Sequence, residues 1–440
     1  MTEAAGWVTL GAGNRAVWPT HELGWVAAVQ PGVENAELAH ILHEANEALA
    51  YPIEIGSLGE ALHKAGLRTA VAGASEAWHV TAAMDESGRV DFCTCDAGPD
   101  DIREALSETD YIAINGAAAG GDGELASCID LVANLLAPED LLIVAALAPR
   151  NAPFIGLAPI VVRGPSFSSP ALTSPTTRRG GVVANIDLAP TVLAFFRLPA
   201  PPSYRNGSPM TAHPRADFQV PQAVWLDAKG RQADAFRPLG LSVLFLLQLV
   251  LIAASVQTRW LRRTWPHPRA MLFLMSLPAA TYATVALPTH WPPAALLLVV
   301  IAVALVLSRL IVLGPPAGAL APTGPVVRIA GLTALLLVID VTTHARLQPL
   351  APIGYSFGFG GRFYGIGNEA AGLLMAAGIL LCGALSAVAR PALLSRLLPA
   401  GVAVVVTAAI APPLGADAGN TLAIVIALGA FALGRWGGRR

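Results

Sequence analysis

The sequence predicts a two-part molecule: a layered α/β domain with a mostly parallel sheet, followed by an all-α polytopic bundle of about seven transmembrane helices. Three observations carry that prediction. Strand-like and helical periods alternate through the first 150 residues, apolar runs fill the chain after residue 238, and nearly all acids lie before residue 240 while later charge is mostly arginine. The 440 residues are 54% hydrophobic and 13% charged, and the mean hydropathy of +0.56 is too high for an average soluble protein. The net charge of -2 hides this asymmetry, which argues against nucleic-acid binding because that needs a basic face on a folded domain.

The start of the chain shows no basic segment leading into an apolar run, so no signal peptide is visible. Residues 9–15 are Gly-rich but lack the preceding strand and the later spacing of a dinucleotide loop, and are expected to be a plain loop. Over 34–49, Leu38, Ile41, Leu42, Ala45 and Leu49 recur at helical spacing, with His40, His43, Glu44 and Glu47 on or near the other face. No third ligand is assignable to His40 and His43, so they read as a solvated face rather than a metal pair. Ser57 and Glu60 have capping-box spacing at the start of a helix that stops at Gly66, and 67–72 reads as a buried strand.

Next come a strand at 90–94, a helix at 101–106, a strand at 111–115, a helix at 124–136 and a continuous apolar strand at 140–146. Ligands of parallel sheets sit beyond the strand C-termini, yet 116–122 and 147–150 carry almost no chemical groups. Cys93 and Cys95 alternate along one strand, so both face one side as small buried hydrophobes. With Cys128 and Cys382 they make neither a paired framework nor a metal spacing. No cofactor and no metal site is assigned.

The stretch 182–199, with Asp187, Pro190 and Thr191 ahead of Leu198-Pro199, and then Asn206-Gly207, resembles the closing motif of the alkaline phosphatase superfamily. Residues 57–73 are similar to that superfamily's Leu/Gly/Thr helix-to-strand unit, and 141–146 to the strand before its Asp-His metal ligands. The resemblance spans about 50–210 and implies an alkaline-phosphatase-like fold, here N-terminally incomplete. It also implies two-metal phosphoryl or sulfuryl chemistry, but the residues depart from that. Leu147-Ala148-Pro149-Arg150 stands where the Asp-His pair belongs, and Thr173 to Thr177 where a late His belongs. The expectation is a domain that has the fold without the metal site, hence a pseudoenzyme. Arg178 and Arg179, beside Thr176 and Thr177, are the candidate contact for an anionic lipid or glycan, with a solvated loop as the alternative.

Domain bounds follow: an extracytoplasmic α/β domain over 1–205, a linker over 206–238 rich in Pro, Arg, Asp and Gln, and a transmembrane domain over 239–440. An Asn206-Gly-Ser208 sequon lies in the linker. The apolar runs are 239–257, 270–287, 293–313, 326–341, 369–389, 397–411 and 421–433, the last two short for a span. Arginine counts orient them. One set of connections collects Arg259, Arg262, Arg263, Arg269, Arg309, Arg328, Arg390, Arg396, Arg435, Arg439 and Arg440, against Arg237, Arg346 and Arg362 on the other. Positive-inside reasoning then places the first domain outside the cell membrane and the C-terminus in the cytoplasm. A large outer domain with no targeting signal leads to the expectation of a native start upstream, with a signal or anchor helix.

The same topology gathers the polar outliers on the outer side: Asp340, His344 and Arg346, then Arg362, Tyr364, Asn368 and Glu369 in the run Gly361 to Glu369, then Asp417 and Asn420. Ionisable groups at membrane depth persist when paired or functional, so these nine residues are the candidate pocket. Helix capping by Glu369 and Asn420 is the structural alternative. The two loops resemble those of bacterial integral-membrane proteins of unknown function with an Arg-Phe-Tyr-Gly-Ile-Gly-Asn-Glu signature, a resemblance that brings no activity. The expected partners are the lipid bilayer and a lipid-linked or glycan envelope substrate, with no nucleic acid. A transporter with broken helices around 365–369 and 415–420 is the second reading, and a metallohydrolase or transferase with ligands supplied upstream is the third.

Overall fold

The computed structural model describes residues 3–19, 32–49, 52–74, 76–116, 122–147, 156–168, 171–204, 206–212, 220–260, 268–313, 324–358, 362–388, 394–412 and 414–437. The chain forms two compact units, Met1–Val220 and Pro221–Arg440.

The first unit opens with helix α1, Glu3–Ala12, so residues 9–12 of the expected loop are helical. Trp7, Val8 and Ala12 are buried with Leu38, Leu42, Val71, Met84 and Val90. Burial overrides the low helix propensity of glycine here. Gly11 instead permits close packing: a Cβ there would lie 1.7 Å from the Thr81 carbonyl oxygen in the 3-10 turn Ala77–Ala82. Helix α2, Ala36–Glu47, is capped by the Asn35 side chain on the Leu38 N–H, buries Leu38 and Leu42, and leaves His40 and His43 exposed. Helix α3, Ser57–Lys64, does not form the expected capping box. Its N-cap is the left-handed Gly56, while the buried Ser57 hydroxyl donates to Tyr204 and Glu60 pairs with Lys64.

Strand β1, Thr69–Ala72, lies between β2, Phe92–Thr94, and β3, Tyr111–Ile114, and both pairings are parallel. Helices α4, Pro99–Glu108, and α5, Asp122–Leu135, complete the alternation. The parallel part is smaller than expected, because β4, Leu142–Ala145, pairs antiparallel with β5, Ile160–Arg163. Its residues are half-buried rather than enclosed on both faces. Cys95 lies just past β2 and is exposed, so it does not share the half-buried setting of Cys93. Residues 117–121 and 148–150, within the segments that follow β3 and β4, lie outside the described residues. Strand β6, Leu172–Thr173, pairs with β7, Thr211–Ala212, and α6, Leu188–Phe195, packs under α1 and α3.

The second unit is helical: α7 Val220–Trp260, α8 Pro268–Thr281 with a 3-10 extension Tyr282–Ala286, α9 Pro293–Leu313, α10 Gly324–Thr342, α11 Asn368–Val388, α12 Leu394–Ile410 and α13 Ala418–Gly437. Each of the seven apolar runs therefore forms a helix, and five of these helices are long and apolar enough to cross a membrane. The apolar parts of α12 and α13, 395–410 and 418–433, are shorter. The linker is also shorter than expected, since 220–238 continue directly into the first apolar run as one 41-residue helix. Such a helix is about 60 Å long, roughly twice a bilayer's hydrocarbon thickness. Its first half carries Asp227, Lys229, Arg231, Asp234 and Arg237, and its second half is apolar.

Helix α11 packs against α10 and α12 through Leu337, Ala370, Leu374, Ala377, Val406 and Ile410. A second core joins α7, α8 and α9 through Phe236, Leu244, Leu277, Leu296, Val300 and Ala304. The outward faces leave Leu246, Val250, Leu298, Val306, Leu335, Val404 and Ile426 exposed. Helices apolar all round, with branched residues on their outward faces, suit a bilayer better than water.

Candidate functional site

All three carboxylates that follow residue 240 belong to one end of the bundle: Asp340 in the last turn of α10, Glu369 in the first turn of α11, and Asp417 just before α13. Hydrogen bonds draw these helix ends together. Asp340 is 2% exposed; its carboxylate accepts the Leu347 N–H at 2.8 Å and the Gln348 side-chain amide at 3.2 Å. The same amide donates to the Tyr282 hydroxyl at 3.0 Å, and the Gln348 carbonyl accepts the Gly367 N–H at 3.2 Å. Gln348, fully buried, thus ties the ends of α8 and α10 to the glycine-rich stretch that opens α11.

That stretch is joined in turn to the connection between α12 and α13. The Ile366 N–H donates to the Gly415 carbonyl at 2.8 Å. Gly365 has φ +82°, and a Cβ there would lie 2.2 Å from the Gly415 oxygen, so only glycine fits this crossing of two backbones. Arg362 spans the crossing: Nη1 donates to the carbonyls of Ile366 and Gly415, and Nη2 faces Asp417 Oδ2 at 3.6 Å. Asp417 is the helix cap. Its Oδ1 accepts the Asn420 N–H at 2.9 Å and its Oδ2 the Asn420 side-chain amide at 2.7 Å. Capping at α13 therefore belongs to Asp417, with Asn420 answering it from inside the helix.

The charged half of α7 closes the same end. Arg237 pairs with Asp234 and donates to the carbonyls of Ala351, Pro352 and Gly354, while Ser356 donates to Asp234 at 2.6 Å. Lys229 is buried, and its ammonium donates to Gln232 Oε1 and to the carbonyls of Thr284 and Leu287. Three acceptors use all three of its donors, so it is a staple between α7 and the 284–291 connection.

Of the nine predicted residues, Arg362, Asp417 and Asn420 meet directly, and Asp340 joins their loop through Gln348. Tyr364 is half-buried in that loop. His344, Arg346, Asn368 and Glu369 are exposed, and Glu369 lies within electrostatic reach of Arg237. His344 and Ala345 take left-handed φ values of 70° and 50° where the chain turns off α10, with His344 exposed and Ala345 buried. Sequence reasoning missed Tyr282 and Gln348, because neutral polar residues at helix ends carry no charge signal. It also left Lys229 and Asp234 unassigned within the linker.

In the first unit, Asp187 is fully buried and accepts four hydrogen bonds: from the Ser174 and Thr176 hydroxyls and from the backbone N–H groups of Ala184 and Ser208. Thr191 donates to the Asp187 carbonyl and accepts the Met210 N–H. The acid and threonine of this motif are thus a latch joining 174–176, 184 and 208–210. Arg178 is exposed with a left-handed φ of 53°, and Arg179 forms a bridge with Val182. Among the described residues, no group of three or more His, Cys, Asp or Glu is placed to hold a metal ion. Comparison of the chain with family models, with curated proteins and with solved structures returns no match.

Proposed function

We propose that this chain is a multi-pass cell-envelope membrane protein whose working site is the polar cap at one end of its helix bundle. There Arg362 would anchor a polar or lipid-linked envelope substrate. The observation that carries this reading is the joining of three helix ends through Gly367, Gly415 and Arg362, which leaves a guanidinium 25% exposed beside a carboxylate 7% exposed. A fixed, partly accessible Arg among backbone carbonyls is poised to bind a ligand without reordering its surroundings. Arginine asymmetry supports an orientation with this end outside, seven spans and a cytoplasmic C-terminus. The first unit is, in this reading, an outer alkaline-phosphatase-like domain without catalytic metals. Its motif acid Asp187 is spent on the latch, which is a structural use.

A gene-deletion strain carrying Arg362→Gln or Glu369→Gln, with membrane insertion verified, should lose the phenotype that the wild-type chain restores; full complementation by both variants would overturn the reading. Cysteine labelling should find the 343–358 connection accessible from outside. Metal analysis of the purified protein should find neither stoichiometric zinc nor manganese, and phosphoester hydrolysis should be absent; finding both would make the first unit a hydrolase. One observation favours a transporter as the second reading: α11 and α13 both begin inside the same cap, behind backbone-bonded glycine loops. Uptake of a polar solute into proteoliposomes would select it.

A further inference from the structure

His63, on α3, stands between two carboxylates contributed by the segment that leads into β2. Its Nδ1 lies 2.9 Å from Asp85 Oδ2, and its Nε2 lies 3.0 Å from Asp91 Oδ2 and 3.1 Å from the Thr69 hydroxyl. The two acids sit at opposite ring nitrogens, so no single metal ion could join them with the ring. The geometry is that of an imidazolium giving one N–H to each carboxylate.

Each acid also organises backbone. Asp85 Oδ1 accepts the Ser87 N–H and hydroxyl and the Arg89 N–H, while Asp91 holds the Thr69 N–H and the Arg89 guanidinium. The other nearby charges are committed or distant. Glu60 and Lys64 on α3 pair with each other, Arg68 is engaged by Glu108 and Asp110, and Glu86 approaches Lys64 rather than the ring. Strand β2 is an edge of the parallel sheet, and Asp91 directly precedes it.

We propose that His63 is a proton-operated clamp that fastens Asp91, at the head of edge strand β2, to α3. With two ring protons it holds both acids. When Nε2 gives its proton to solvent, Nδ1–H stays on Asp85, the Thr69 hydroxyl donates to the bare nitrogen, and Asp91 is released to Arg89 and the Thr69 N–H. The Asp85 hydrogen bond, opposed by burial and reinforced by the Asp91 charge, raises the ring's pKa above 6.5. Because the folded value exceeds the unfolded one, the clamp is complete below pH 6.5 and is lost as pH rises through the folded value. Mild acidity therefore tightens this edge, the reverse of the usual carboxylate response.

The test is hydrogen exchange read by mass spectrometry on the full chain in lipid nanodiscs, between about pH 5.5 and 8.5, the interval around an ordinary histidine pKa. After correction for intrinsic exchange, protection of peptides covering 85–95 should fall with rising pH by at most one decade per unit, as one proton allows. His63→Gln should abolish that fall. Asp91→Asn keeps the Asp85 contact and should move the release to lower pH, which decides the matter if His63→Gln does not fold. Identical profiles for wild type and His63→Gln, or an unmoved release in Asp91→Asn, would overturn the clamp.

Discussion

Asp187 and Asp417 both stand immediately before a helix, and the carbonyl of each accepts a threonine hydroxyl four residues on, from Thr191 and Thr421. Their side chains meet different company. Asp187 is sealed among four donors, two of them hydroxyls, with no arginine among them. Asp417 caps its helix and also faces a partly exposed Arg362. A carboxylate whose acceptor capacity is consumed by its own fold contributes shape. One that shares a loose ion pair with an accessible cation leaves that cation able to exchange partners. The difference shows that a buried acid ahead of a helix can serve the fold alone.

The largest expected effect tests the sealed side. Asp187→Ala strands four donors and should cost about 3–5 kcal/mol, the range for breaking a buried charged network. Denaturant unfolding followed by limited proteolysis of the first unit would measure it, and a loss below about 1 kcal/mol would undo the latch. Next comes Gly365→Ala, which forces a side chain into left-handed backbone against the Gly415 oxygen. It should destabilise the second unit by about 2–3 kcal/mol, seen as a lower melting temperature in detergent.

A smaller effect follows from His79, which is buried against Trp7 and accepts the Glu76 N–H on Nδ1. Burial pushes its pKa down from 6.5 to about 4. The folded value lies below the unfolded one, so stability is full above pH 6.5 and declines as pH falls toward 4, the opposite sign to His63. Unfolding curves at pH 7 and pH 5 should separate in the wild type by no more than one proton's linkage. His79→Phe should lose this contribution and leave the opposite-signed one of His63. The smallest stability effect belongs to Arg362→Gln, about 1 kcal/mol or less for a part-exposed pair 3.6 Å apart. The same variant should have the largest effect on function. A variant that loses several kcal/mol and keeps function would invert the comparison.

The apolar helices were legible because a bilayer-length run is a property of consecutive residues, and their ends fall within a few residues of expectation except at α7. Strands β1 and β3 were legible for the same local reason. The size of the parallel sheet was not, since whether β4 joins β1 or turns back onto β5 depends on pairing partners distant in sequence. Arg362 and Asp417 could be singled out as charges in apolar surroundings. Tyr282 and Gln348 could not, being 66 residues apart and individually unremarkable in type.

The sequence by itself determined where the chain is apolar enough to span and which residues interrupt that pattern, because hydropathy is a local property of consecutive residues. Only the tertiary structure decided which interruptions meet. Arg362 reaches Asp417 across a full helical hairpin, Asp187 is consumed by Ser174 and Ser208, and His63 finds Asp85 and Asp91. A hydrogen bond or ion pair depends on distances of a few ångströms, and those are set by packing rather than by position along the chain.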